Sequence, residues 1–130
     1  MKNFIILILG IFILNSAFAD EWPHPNISKA EFATDIIDKE PFNIVGEMDN
    51  TLGKIYFFTN IRNLQGTSIT HRWTYNNKVM ADVIFDINGP RWRVWSSKNL
   101  WHTWTGKWVV EVLTSESEVL YQKEFNYIEK

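Results

Sequence analysis

Two short stretches of the chain interleave residue types that do surface chemistry. One is His71-Arg72-Trp73, the other Arg91-Trp92-Arg93-Val94-Trp95-Ser96-Ser97-Lys98. On an extended strand, successive side chains point to opposite faces. His71 and Trp73 then share a face, with Arg72 opposite. In the second stretch Trp92, Val94 and Ser96 share one face, and Arg91, Arg93, Trp95 and Ser97 the other. A guanidinium lying on an indole is attracted by the ring's negative face, so this interleaving suits a binding surface. The same pattern also serves structure, because an arginine stem covers an indole while its charge stays wet. Both readings stand on sequence.

A third stretch, Asn99-Leu100-Trp101-His102-Thr103-Trp104-Thr105-Gly106, reads as a loop with two indoles. Loops lie on the surface and carry function disproportionately. Exposed there, Trp101 and Trp104 would stack on sugar rings, pack on a partner or sit at a membrane interface. Folded back, they would cap one end of the fold. These two indoles are where function is most expected, with His71, Arg72, Trp73 and the 91–98 stretch as further binding residues.

The case for catalysis is weaker. His24, His71 and His102 stand in no metal-spaced cluster, so a zinc site would need distant ligands. No HExxH, G-x-S-x-G, S-x-x-K or phosphate-binding glycine loop occurs. Ser96 and Ser97 come near His71 only if their strands neighbour each other, which would permit a Ser/His pair. Asp82 and Asp86 could supply a carboxylate pair for glycan hydrolysis. The plainer reading of His71 is a partly buried imidazole bonded to a backbone carbonyl or a carboxylate. No catalytic residue, metal ligand or cofactor is therefore assigned. An envelope hydrolase using His71 with Ser96 or a carboxylate is the alternative.

Composition narrows the classes. The chain has 130 residues, 13 Lys+Arg against 15 Asp+Glu, a net charge of -2, no cysteine and seven tryptophans. An acidic balance lacks the basic footprint of nucleic-acid binding. Zero cysteine excludes a disulfide scaffold, a Cys-ligated zinc, a thiol nucleophile and cysteine lipidation. Lys2, the apolar run 4–14 and the Ala17-Phe18-Ala19 pattern read as a signal peptide over residues 1–19. Cleavage is expected between Ala19 and Asp20, giving a periplasmic or secreted domain. The apolar run is about a dozen residues against the ~20 of a span, so no membrane anchor is expected after cleavage.

The elements that must position these side chains read as short strands. An extended lead-in over 20–27 contains Pro23 and Pro25. Strands are expected at 28–36, 54–61, 67–75, 78–87, 91–98, 107–114 and 119–128. The first could instead be a short helix, given Lys29, Ala30 and Glu31, and Pro41 ends that segment. Residues 54–61 are apolar on both faces, which predicts a strand covered on both sides or at an interface. Asn76-Asn77 reads as a tight hairpin turn, Asn88-Gly89-Pro90 and Ser115–Glu118 as further turns. About seven strands at this spacing predict an antiparallel immunoglobulin-like or fibronectin-like sandwich over 28–130. A small β-barrel is the alternative.

The same motifs carry a resemblance. His71-Arg72-Trp73, then Trp92-Arg93-Val94-Trp95-Ser96-Ser97-Lys98, then Gly106-Lys107-Trp108-Val109-Val110 resemble the bacterial family called domain of unknown function 2914. Phe57-Phe58-Thr59, Leu120 and Phe125 match it too, over roughly 27–127. Its Arg-Glu-Pro segment reads Lys39-Glu40-Pro41 here, a departure at one position. The resemblance implies a small all-β domain, often in envelope or membrane-attached proteins, with no established activity. It marks His71, Arg72, Trp73, Trp92, Arg93, Ser96 and Lys98. If their strands neighbour, these form one patch, with His71, Trp92 and Ser96 on one face and Arg72 and Arg93 on the other. Trp101 and Trp104 lie outside the shared motifs.

The expectation is a non-catalytic exported domain that binds an envelope glycan, acidic or neutral, or a protein partner. A purely structural docking domain of a membrane complex is a further alternative. Pattern alone does not choose an oligomeric state.

Overall fold

The computed structural model describes residues 21–130; the expected leader and its cleavage site lie outside them. Nine strands follow one another: β1 Ile27–Ile37, β2 Glu40–Ile44, β3 Glu47–Asp49, β4 Lys54–Arg62, β5 Ser68–Tyr75, β6 Lys78–Asp86, β7 Arg91–Asn99, β8 Gly106–Thr114 and β9 Val119–Ile128. They form two sheets, ordered β2-β1-β4-β7 and β3-β9-β8-β5-β6. Every strand pair is antiparallel except β3 with β9. The sheets stack as an open sandwich and do not close, which removes the barrel alternative. No described helix is long and apolar enough to cross a membrane.

Alternation builds the core. Ile55, Phe57, Thr59 and Ile61 of β4 point inward, as do Ile69, His71 and Trp73 of β5 and Trp108, Val110 and Val112 of β8. Phe32 lies between Phe57 and Phe125, each at 4.8 Å between ring centroids. Trp73 and Trp108 are fully buried, so two of the seven indoles supply core volume in a chain with no cross-links.

Two strands exceed the seven expected from sequence. Residues 27–37 are strand throughout, not helix. Pro41 does not end that segment: β1 stops at a two-residue turn, Asp38-Lys39, with φ of 53° and 61°. Pro41 sits in β2, at the edge of its sheet, where a missing N–H costs no ladder bond. The Asn76-Asn77 turn is as expected, with φ of 50° and 60°.

The β1–β2 hairpin then folds back over its own sheet. Ala33 is the last β1 residue paired with β4, and Glu40 pairs with Ile37 beyond it. On a straight strand Ile37 would lie about 26 Å from Lys29, at ~3.3 Å per residue. Yet the Glu40 carboxylate meets Lys29 at 3.3 Å and Arg93 at 2.7 Å. The hairpin tip therefore crosses the outer face of the four-stranded sheet. This cover explains why Phe58 and Asn60, which point outward from β4, are buried. Residues 57–61 are thus enclosed on both sides, while Lys54 is exposed and Tyr56 half-buried.

Candidate functional site

The two motif strands are not neighbours in one sheet. β5 lies in the five-stranded sheet and β7 edges the four-stranded one, so they face each other across the interior. His71 Nδ1 lies 2.8 Å from Ser96 Oγ, and Nε2 lies 2.9 Å from Thr59 Oγ1. Trp73 Nε1 donates to the same Ser96 oxygen at 3.1 Å. With Trp73 as a donor there, the Ser96 hydroxyl proton goes to Nδ1, and Nε2–H donates to Thr59. Each polar atom of the group then has a partner, as buried groups require. The single patch expected from the motifs is replaced by a bridge through the core. Its imidazole is fully buried, not partly, and its partners are hydroxyls rather than a carbonyl or a carboxylate.

Burial pushes the His71 pKa down to about 3, so the ring is neutral. Phe57 and Phe85 set their rings edge-on to it at 5.0 Å and 4.9 Å. His71 and Ser96 do converge, but in a closed interior with no route for a substrate. His71, Trp73 and Ser96 hold the sheets together and present nothing to solvent.

Arg72 points out from the opposite sheet. It forms a two-pronged bond to Asp82 at 2.9 Å and 3.0 Å, an ordinary cross-strand surface pair. Arg72 and Arg93 both face outward, but from different sheets, so they share no surface.

The exposed chemistry gathers at β7. A cleft of about 250 Å³ lies between the hairpin tip and this strand, lined by Lys39, Arg91, Trp92, Arg93 and Trp95. β7 pairs on one side only, with β4. Trp95 stacks on Phe58 at an interplanar angle of 14° and a centroid distance of 6.4 Å. Trp95 is half-buried and forms part of the cleft wall. Arg93 and Lys29 share Glu40, and the Arg93 guanidinium chiefly holds that carboxyl below the usual carboxylate range. Among the described residues, Arg91, Lys39 and Arg62 have no carboxylate within 4 Å. Arg62, opposite Arg91 on β4, lies 4.9 Å from the Trp22 ring centroid.

The two loop indoles part company. Trp101 is 61% exposed at the tip of a turn closed by Trp104 N–H donating to the Trp101 carbonyl at 2.9 Å. Trp104 is half-buried. Its carbonyl accepts from Trp108 Nε1 at 2.9 Å, and its ring packs 6.0 Å from that indole. Lys98 points to this end and sets its ammonium 5.2 Å from the Trp104 ring centroid. Trp104 and Lys98 thus cap the sandwich, while Trp101 stands clear. Trp101 and Arg91 lie at opposite ends of β7, about 30 Å apart by strand rise, so one small ligand cannot touch both.

Lys39, Glu40, Arg62 and Trp22 escaped sequence reasoning. Lys39 and Glu40 reach β7 because the hairpin folds back, Arg62 pairs with Arg91 across β4 and β7, and Trp22 lies on Arg62. The one available signal was the apolar outer face of 54–61, which demanded a cover. The family described as "Protein of unknown function (DUF2914)" matches residues 66–127. That segment contains β5 to β9 and one wall of the cleft, Arg91 to Trp95, while Lys39 lies outside it. No curated protein matches the chain.

Proposed function

We propose that this chain, which belongs to the DUF2914 family through residues 66–127, is a non-catalytic exported binding domain. It engages a glycan or a protein partner of the cell envelope through aromatic and basic side chains. The observation that carries this reading is the cleft at β7, where unpaired cations and half-buried indoles share one concave surface. Concave surfaces that join aromatic side chains with a few polar groups are suited to binding. His71 and Ser96 give no support to hydrolysis, because the pair is sealed in the core.

Retention of envelope extract on immobilised protein tests the reading, with bound sugar and bound protein both assayed. The wild type retains material that Arg91→Gln and Trp95→Ala variants lose. Nothing retained, or equal retention by all three, overturns it.

One observation favours the docking alternative. Ile37, Phe42 and Ile44, all on the folded-back hairpin, are 47%, 56% and 54% exposed. Apolar side chains gathered on one element suit a protein contact. Loss of retention in Phe42→Ser, with the Arg91→Gln variant unaffected, selects that reading.

A further inference from the structure

We propose that the cleft between the hairpin tip and β7 takes a short acidic saccharide, its carboxylate held by Arg91 and Lys39 and its ring lying on Trp95. This deepens the binding reading above and rests on it.

Charge is the first reason. Lys29, Lys39, Arg62, Arg91 and Arg93 line or flank this end of the four-stranded sheet, and two of them, Lys29 and Arg93, share the Glu40 carboxylate. Asp38 in the hairpin turn is a further acid, and Glu21 and Glu31 line a separate cleft with Lys29. The chain as a whole is net -2, yet the cleft itself is lined by Lys39, Arg91 and Arg93 and by no carboxylate. That lining draws an anion to this place.

Glu40 is the second reason. The site already holds one carboxylate of the chain, with one oxygen on Lys29 and the other on Arg93. Arg91 and Lys39, on the cleft beside it, are left with no acid of their own among the described residues. An arginine fork matches the two oxygens of a carboxylate, which favours Arg91 as the principal contact.

The third reason is the aromatic surface. Trp95, half-buried beside Phe58, stands on the cleft wall. An indole there takes one ring, where a row of bases would need several stacking platforms. A cleft of about 250 Å³ has room for a sugar unit, not an extended polymer. The net negative charge of the chain also opposes a long polyanion. These features separate an acidic saccharide from single-stranded nucleic acid.

Calorimetric titration of the full chain, with amide shifts read by NMR, tests the assignment. The probes are tetragalacturonate, its fully methyl-esterified form, glucose 6-phosphate and an eight-residue oligothymidylate. Tetragalacturonate is expected to bind at least tenfold more tightly than the ester and to shift amides at 39 and 91–95. Arg91→Gln weakens it tenfold or more, Lys39→Gln acts in the same direction should Arg91→Gln fail to fold, and Trp101→Ala changes nothing. Equal binding of the ester overturns the acidic class and leaves the broader binding reading standing. Tighter binding of glucose 6-phosphate overturns the carboxylate in favour of a phosphate, and tighter binding of the oligothymidylate overturns the saccharide. Silence of every probe at those amides also overturns it, and the extract experiment then decides the broader reading separately.

Discussion

His71 Nδ1 and Ser96 Oγ stand 2.8 Å apart although their strands belong to different sheets. With Thr59 on the other ring nitrogen, the imidazole ties β5 to both β4 and β7. Ser96 also accepts from Trp73, so one hydroxyl serves two buried donor-acceptor needs. Ser96→Ala leaves Trp73 Nε1 and His71 Nδ1 without partners at once. The expected cost is about 2–6 kcal/mol, from ~1–3 for each of the two buried groups left unpaired. Urea denaturation measures it, and a loss under 1 kcal/mol would show that the bridge is dispensable.

The same imidazole makes stability depend on pH. Its pKa is about 3 folded against 6.5 for the free side chain, so the unfolded chain binds the extra proton between those values. Stability is full above pH 6.5 and falls as pH drops toward 3, by up to about 1.4 kcal/mol per pH unit. A His71→Asn variant is less stable at pH 7 but shows a flatter profile between pH 6.5 and 4.5. Parallel profiles for the two proteins would refute this.

Trp101 and Trp104 should separate in a stability assay. Trp101→Ala removes an exposed ring and is expected to change stability by no more than about 0.5 kcal/mol. Trp104→Ala uncovers the Trp108 indole and the Lys98 stem, at a cost of about 1–3 kcal/mol. Acrylamide quenching provides a second readout: Trp101→Ala loses more of the quenchable fluorescence than Trp104→Ala.

The hairpin over the four-stranded sheet is held at its tip by exposed ion pairs. Such pairs contribute little to global stability, under about 1 kcal/mol. Glu40→Gln is therefore expected to leave the urea midpoint nearly unchanged while hydrogen exchange quickens in β2 and at the tip. It also frees Arg93 and Lys29, so an anionic probe should bind the variant more tightly than the wild type. Unchanged exchange at residues 38–44 would mean that apolar packing, not Glu40, holds the hairpin down.

Much of the fold was legible because alternation is local. Seven strands, the Asn76-Asn77 turn and the face assignments along 91–98 follow from period-2 patterning and turn chemistry. β2 and β3 were missed for physical reasons. β2 contains a proline and a left-handed Asn43, and β3 has three residues, too few to show a period. The site was legible in part. Arg91, Trp92, Arg93 and Trp95 were read as binding residues and line the cleft, but Lys39 reaches it only through the fold-back. His71 and Ser96 were paired in anticipation, yet which sheet each strand joins decides whether they face solvent or core, and alternation carries no such information.

One pairing has a bearing on how the chain is made. β3 hydrogen-bonds only to β9, in parallel, joining residues near 48 to residues near 127. The Tyr127 hydroxyl reaches the Leu52 carbonyl at 2.6 Å, and Asn50 N–H reaches the carbonyl of Ile128. A polypeptide emerging from its N-terminus cannot complete this seam until residues 126–128 are out. Met48 waits for its strand partner while the intervening residues are made, so the early part of the domain depends on its late part to become complete.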